Sequence, residues 1–229
     1  MVRAVALIVG AGPGLSASLA RALAERSLHV VLAARDTSDL LDLAGDIGAT
    51  TIDCDASDKD DMASLFDQID DLGGDLEVAI YNASGRVQGP IAELDPVAVE
   101  RAISVSAYGA FLMAHHAARR MLERSSGTLL FTGASAGVKG FAKSAPFAMG
   151  KFALRGLCQS LARELHPQGI HVGHIVIDGG IADRSSPDAG HADDMLDPDE
   201  IAKAYMALID QHRSTWTSEI EVRPWVERF

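Results

Sequence analysis

Three glycines in the segment Gly10-Ala-Gly12-Pro13-Gly14-Leu15-Ser16 directly follow the apolar run Ala4 to Val9. Without Cβ atoms, such a loop lets its backbone come close to a ligand. A helix opening near Gly14 would offer unpaired N–H groups to a pyrophosphate. The chemistry this suits is dinucleotide binding; a tight strand-to-helix turn with no ligand is the other reading of the same residues. The end of the second apolar run, Val31-Leu-Ala-Ala34-Arg35-Asp36, bears on which dinucleotide is taken. An acidic residue at position 34 would pair with the adenosine ribose hydroxyls of NAD. Ala34 stands there instead, and Arg35 beside it can fork onto a 2′-phosphate. NADP is therefore preferred over NAD, against the alternative that Arg35 is a solvated charge and Asp36 takes the ribose.

Other groups with chemical potential read more plainly. His115 and His116 are adjacent on a helix, where side chains point about 100° apart, so they suit a surface or subunit contact better than one shared metal. Asp188, His191, Asp193 and Asp194 crowd one loop, but the spacing of a calcium-binding loop is missing. No metal site is expected.

The elements that must position these residues follow from the hydrophobic pattern. Short all-apolar runs alternate with longer stretches of helical period, which is the signature of βαβ units. Strands are expected at Ala4 to Val9, Leu28 to Ala34, Thr50 to Asp53, Val78 to Tyr81, Thr128 to Phe131, Ile170 to Ile177 and Ile220 to Val222. Runs without polar alternation belong in a parallel sheet covered on both faces. The expected fold is thus α/β: a Rossmann-type, doubly wound parallel sheet of about seven strands, in a single domain over residues 1–229. Asp95-Pro96 and Asp197-Pro-Asp-Glu200 supply helix-start signals. The last strand should alternate outward charges with inward Ile220 and Val222.

Composition narrows the partners. The chain has 229 residues, 20 basic against 32 acidic, for a net charge of −12, and a mean hydropathy of +0.11. That charge repels phosphate backbones and anionic lipid surfaces, so neither nucleic acid nor a membrane is an expected partner. No apolar run approaches the roughly 18 residues of a membrane span. Cys54 and Cys158 lie far apart with no Cys-x-x-Cys spacing, which suits a reducing cytoplasm.

From Ala4 to about Val222 the chain resembles the short-chain dehydrogenase/reductase family. Val9 to Ser16 is similar to its Thr-Gly-x-x-x-Gly-x-Gly loop, Asp55-Ala56 to its adenine-contacting pair, and Tyr81-Asn82-Ala83-Ser84 to its Asn-Asn-Ala-Gly segment. Asp178-Gly179-Gly-Ile181 resembles the Pro-Gly-x-Ile turn. The resemblance implies cofactor contacts at Gly10, Gly12, Pro13, Gly14, Leu15, Arg35, Asp55, Ala56, Asn82, Ala83, Lys151, Gly179 and Ile181. It also implies a small-molecule substrate, a substrate loop over residues 181–197, and a homodimer or homotetramer built on the helices Val99 to Leu122 and Ala148 to Leu165.

The catalytic positions depart from the family pattern. Phe147-Ala-Met-Gly-Lys151 is similar to the Tyr-x-x-x-Lys signature, with the two residues one turn apart on one helix face. There the lysine would lower the pKa of a phenol and hold the nicotinamide ribose, but phenylalanine does no acid or base work. Ser106, in Val105-Ser106-Ala-Tyr-Gly109, stands in the place of the relay asparagine. Ala134, thirteen residues before Phe147, takes the place of the substrate-orienting serine. Ser135 is its neighbour and the candidate replacement, with Thr132 a weaker one. Of the tetrad only Lys151 is kept. The implied activity is carbonyl/alcohol oxidoreduction at an altered site; a catalytically silent nucleotide-binding or regulatory protein is the alternative.

Overall fold

The structure, a computed structural model, describes residues 4–182 and 193–226. Strands β1 (Val5–Val9), β2 (His29–Ala34), β3 (Thr50–Asp53), β4 (Leu76–Tyr81), β5 (Gly127–Thr132) and β6 (Ile170–Ile177) form one sheet with Glu219–Val222. The expected strands differ from these by at most two residues at an end. Two short strands not anticipated, β7 (Gly180–Ile181) and β8 (Met195–Leu196), pair beside the sheet, so Glu219–Val222 is β9. The seven-stranded sheet has the order β3-β2-β1-β4-β5-β6-β9, and every pairing is parallel.

Parallel strands need crossover connections, and these put helices on both faces. Val5, Leu7 and Val9 of β1 face one core with Phe66, Met113 and Leu154, while Ala6 and Ile8 face the other with Leu19, Leu23 and Tyr205. Both sets of β1 side chains are buried, hence the absence of polar alternation. Helices α3 (Lys59–Asp71), α5 (Gly109–Arg124) and α6 (Ala145–Leu165) supply the first layer; α1 (Leu15–Glu25), α2 (Leu41–Ile47) and α7 (Pro198–Ile209) supply the second. Asp95 caps α4 (Pro96–Ile103) through Val97 and Ala98 N–H, and Asp197 caps α7 through Asp199 and Glu200 N–H. A cap of this kind stabilises a helix by about 1 kcal/mol.

Between α4 and α5 the helix continues through one π turn, Ser104–Tyr108. The stretch Pro96–Arg124 is long and apolar enough by composition to cross a membrane. Within it, Met113, Ala114, Ala117 and Met121 pack into the first layer. The π turn has a tertiary cause. The Tyr81 hydroxyl donates to the Val105 carbonyl, and Gly109 admits that phenol: a Cβ there would lie 2.3 Å from its oxygen.

The edge strand departs from expectation in one respect. Glu219 does not simply point to water: Arg155 donates to its carboxylate at 2.6 and 2.8 Å, and His174 Nδ1 lies 3.0 Å away. A fully buried histidine on β6 draws the carboxylate inward.

Candidate active site

In this strand order the direction of winding reverses between β1 and β4, and the crevice outside their carboxyl ends is where doubly wound sheets take ligands. Gly10 follows β1 with φ +82°, and a Cβ there would sit 2.3 Å from Ala83 N, so only glycine fits. Asn82, at the end of β4, reaches across: its Nδ2 donates to the Gly10 carbonyl at 3.3 Å and to Ser16 Oγ at 2.8 Å. Ser16 in turn donates to the Gly10 carbonyl at 3.2 Å. The loop is thus pinned from behind. Its open side is bare, with no atom within 4 Å of where a Cβ on Gly12 or Gly14 would stand. Gly14 starts α1, whose first turn has no side-chain cap and no acidic residue. Unspent N–H groups and the positive end of the helix therefore face that space. These features fit a dinucleotide pyrophosphate.

A cleft of about 890 Å³ extends from this cradle, and Gly10, Arg35, Asp55, Ala56, Asn82 and Ala83 line it, with Arg86 and Arg101. Arg35 and Asp36 are both exposed at its rim. Asp36 accepts from Ser38 N–H at 2.9 Å, a local bond that keeps its carboxylate in its own turn. Asp55 accepts from the Ser57 hydroxyl and N–H at 2.7 and 3.0 Å, which holds its carboxyl below the ordinary range, with Arg101 at 3.6 Å adding to the effect. Pro13 and Gly14 are exposed at the mouth of the cradle while Leu15 turns inward into the core. Gly179 and Ile181 lie off the cleft lining, where β6 passes into β7.

The tetrad positions also lie off that lining: Lys151, Phe147, Ala134 and Ser135 gather where β5 and α6 meet, joined to the cleft through Arg86. Lys151 is 3% exposed, and its Nζ donates to the Thr132 carbonyl at 2.8 Å. Burial pulls its pKa down to about 8, and Arg86 adds to the fall. Gly137 lets the loop after β5 approach this turn of α6: a Cβ there would be 3.0 Å from the Lys151 carbonyl. Phe147 sits one turn before the lysine, its ring centroid 5.8 Å from Lys151 Nζ. On the same ring lies Arg86, Cζ 4.6 Å from the centroid. Ser106, in the π turn, is fully buried. Its hydroxyl accepts from Gly85 N–H at 2.9 Å and so fixes the backbone just before Arg86. Ala134 and Ser135 are half-buried after β5, Ser135 opening a 3-10 turn. Thr132 Oγ1 is engaged behind the sheet with the Tyr205 hydroxyl at 2.8 Å.

The family model for short chain dehydrogenases matches residues 4–184. This chain belongs to that family. A short-chain dehydrogenase from Rhodopseudomonas palustris is 31% identical with a TM-score of 0.85, the match covering 97% of this chain and 99% of that one. A metagenomic short-chain oxidoreductase solved in complex with NADP is 26% identical with a TM-score of 0.83, covering 98% of each chain. Cis-4-hydroxycyclohexanecarboxylate dehydrogenase of Sinomonas cyclohexanicum is 32% identical over 75% of this chain and 71% of its own.

Two features of this short-chain dehydrogenase lie outside the tetrad pattern. Arg86 is brought to Phe147 only by the fold; the signal in the sequence is a cation directly after the Asn82-Ala-Ser-Gly85 segment. Gly133-Ala134-Ser135-Ala136-Gly137 also has the Gly-x-Ser-x-Gly spacing of a hydrolase nucleophile elbow. Here the serine opens a 3-10 turn, and no histidine bonds its hydroxyl among the described residues. Most of the expected substrate loop 181–197, with Asp188 and His191, lies outside the described residues. Among those described, no three metal-ligating side chains converge. His115 and His116 pack on Phe111 and Phe66, ring centroids 6.0 and 5.2 Å apart.

Proposed function

We propose that this protein is an NADP(H)-binding oxidoreductase acting on a small alcohol or carbonyl compound, with Lys151 as the titratable group of its altered site. The observation that carries the reading is the uncapped first turn of α1, facing open space over Gly12 and Gly14 and pinned by Asn82 at the point where the sheet reverses. Arg35, exposed on the cleft with no carboxylate within 4 Å among the described residues, supports NADP over NAD. The NADP complex of the metagenomic relative supports the same choice. The Sinomonas relative, by its name a dehydrogenase of a hydroxylated ring, supports an alcohol/carbonyl pair.

When bound, the nicotinamide supplies or takes up the hydride. The chain's own residues then have to orient the substrate and manage one proton. Phe147 contributes no proton, and loss of a positioned general acid costs about 10² to 10⁴ in rate. Lys151 is the group whose proton comes and goes near neutral pH, its pKa lowered to about 8. Ser135 supplies a hydroxyl next to Ala134, and Ser106 holds the Gly85 backbone. Exposed Tyr108 of the π turn, Phe111 of α5, and Met149 and Phe152 of α6 support a homodimer or a tetramer of dimers. Cys54 and Cys158 are buried free thiols, suited to the cytoplasm.

Titration calorimetry with NADP(H) and NAD(H), followed by hydride-transfer assays on aldehydes, ketones, quinones and alcohols, tests the reading. Binding should be saturable and lost in Gly14→Asp, where a carboxylate would meet the pyrophosphate. Absence of heat with either cofactor at millimolar concentration refutes it. The departure at three of four tetrad positions favours a second reading, a nucleotide-binding protein without turnover. Cofactor binding with no hydride transfer across the whole panel would select that one.

A further inference from the structure

Arg86 is not accounted for by cofactor binding at the glycine loop or by the family's tetrad. It is an exposed side chain on the cleft, yet it is well held. Gly85, immediately before it, is bonded to buried Ser106 and packs so closely on α4 that a Cβ would lie 2.5 Å from Ala102 Cα. Its guanidinium lies across Phe147, 4.6 Å from the ring centroid. An aromatic face attracts a cation and holds its plane without using any of its N–H groups. No carboxylate comes within 4 Å of Arg86 among the described residues, and the next charged group on the same ring, Lys151, is also a cation. Elsewhere on the cleft Arg101 has Asp55 at 3.6 Å. In a chain of net charge −12, two cations on one ring without a counter-ion among the described residues mark a place for a negative ligand group.

We infer that Arg86, carried on the Phe147 ring, is the binding residue for a carboxylate of the substrate, so that the substrate is a hydroxy or oxo carboxylic acid. A guanidinium presents two parallel N–H bonds that match the two oxygens of a carboxylate. It holds charge without giving up a proton, which makes it an anchor and leaves proton transfer to another group. Phe147 has a function under this inference: it is the surface that aims the guanidinium. Ser106 is a positioning residue, acting through Gly85. The inference rests on the oxidoreductase reading for its substrate class, while the anion site stands on geometry alone.

The test is calorimetry on the cofactor-saturated protein with matched neutral and anionic probes. These are cyclohexanecarboxylate, benzoate and acetate, each against its carboxamide. Wild type should bind at least one acid saturably and at least tenfold more tightly than its amide, with the preference weakening as salt is raised. Arg86→Gln should abolish the preference while NADP(H) affinity stays within about threefold, and Arg86→Lys should keep part of it. Phe147→Ala, which removes the platform and keeps the charge, should weaken acid binding by several-fold. The inference is overturned if wild type binds acids and amides equally or binds no acid in the panel. It is equally overturned if Arg86→Gln lowers NADP(H) affinity tenfold and leaves the acid preference, which would make Arg86 a cofactor residue. Acid binding through Arg86 with no hydride transfer to any substrate would leave this inference standing and remove the oxidoreductase reading. Turnover of neutral alcohols as fast as hydroxy acids, unchanged in Arg86→Gln, would do the reverse.

Discussion

Raising the pH from 7 to 10.5 should stabilise the wild-type fold relative to Lys151→Met by about 3 kcal/mol. Lys151 is 3% exposed, and burial brings its pKa from 10.5 down to about 8. Below pH 8 the lysine is charged in both folded and unfolded chains, and the fold bears the whole cost of burying that charge. Between about 8 and 10.5 the folded chain has given up the proton and the unfolded chain keeps it. The unfolded state then binds more protons, so stability rises with pH across that window and is level above it. The interval from about 8 to 10.5, at about 1.36 kcal/mol per pH unit, gives the figure of about 3 kcal/mol. Wild type alone would not display it. Burial pushes the Cys54, Cys158, Tyr81 and Tyr205 groups upward, and their ionisation in the unfolded chain opposes the trend at alkaline pH. Subtracting the variant cancels these contributions. Methionine is apolar, unbranched and adaptable enough to fill the site, and loss of the bond to the Thr132 carbonyl costs about 1–3 kcal/mol at every pH. Urea unfolding of both proteins followed by circular dichroism, at one protein concentration and at pH 7, 8, 9, 10 and 10.5, gives the difference curve. A curve flat to within about 0.5 kcal/mol would show that Lys151 is not held as a buried, readily neutralised amine, and the role given to it would fall.

Three further outcomes are expected. Arg35→Ala should weaken NADP binding by about tenfold, the loss of one strong charge-assisted contact, and leave NAD within twofold by calorimetry; equal losses would dismiss the 2′-phosphate contact. Phe147→Tyr combined with Ala134→Ser should raise turnover of a small activated carbonyl at least about tenfold, since a phenol one turn from Lys151 gains a proton to give; unchanged or lower turnover in a folded, cofactor-binding variant would mean the site runs on other donors. Acidification from pH 7 to 5 should destabilise the fold, because burial holds His171 and His174 below the ordinary 6.5 and the unfolded chain takes up protons first; thermal melting unchanged across that interval would contradict it.

The central strands β1, β2 and β4 were legible because each is a short, largely apolar run, and parallel strands covered on both faces tolerate no polar alternation; the edge strand β9 was legible instead from its alternation of Glu219 and Glu221 with Ile220 and Val222. The caps at Asp95 and Asp197 were legible because capping is local chemistry, a carboxylate meeting N–H groups two and three residues on. Gly10 was legible for a related reason, although its requirement is tertiary: the atom that excludes a Cβ belongs to Ala83, two residues past the end of the neighbouring strand β4. The π turn was not legible. Nothing in Ser104 to Tyr108 departs from helical pattern, and the carbonyl that Tyr81 draws belongs to a segment far along the chain. Glu219 was misread from alternation alone, since its partners Arg155 and His174 come from α6 and β6.

The site divides along the same line. Where function rests on backbone, as in the glycine cradle, residue type and spacing suffice, because the absence of a side chain is itself the signal. Where it rests on side chains converging from separate elements, spacing describes only what one helix contributes. Phe147 and Lys151 share a face of α6, so the sequence presents position 147 as a loss, a phenol replaced by a ring that cannot ionise. The fold adds Arg86 from the loop after β4 and the serine beneath it that fixes Gly85. A bare phenyl face holds a guanidinium plane and leaves its donors free for a ligand. With those partners in place, the change at position 147 is as much the gain of a platform for a cation as the loss of an acid, and the Arg86 and Phe147 variants separate the two.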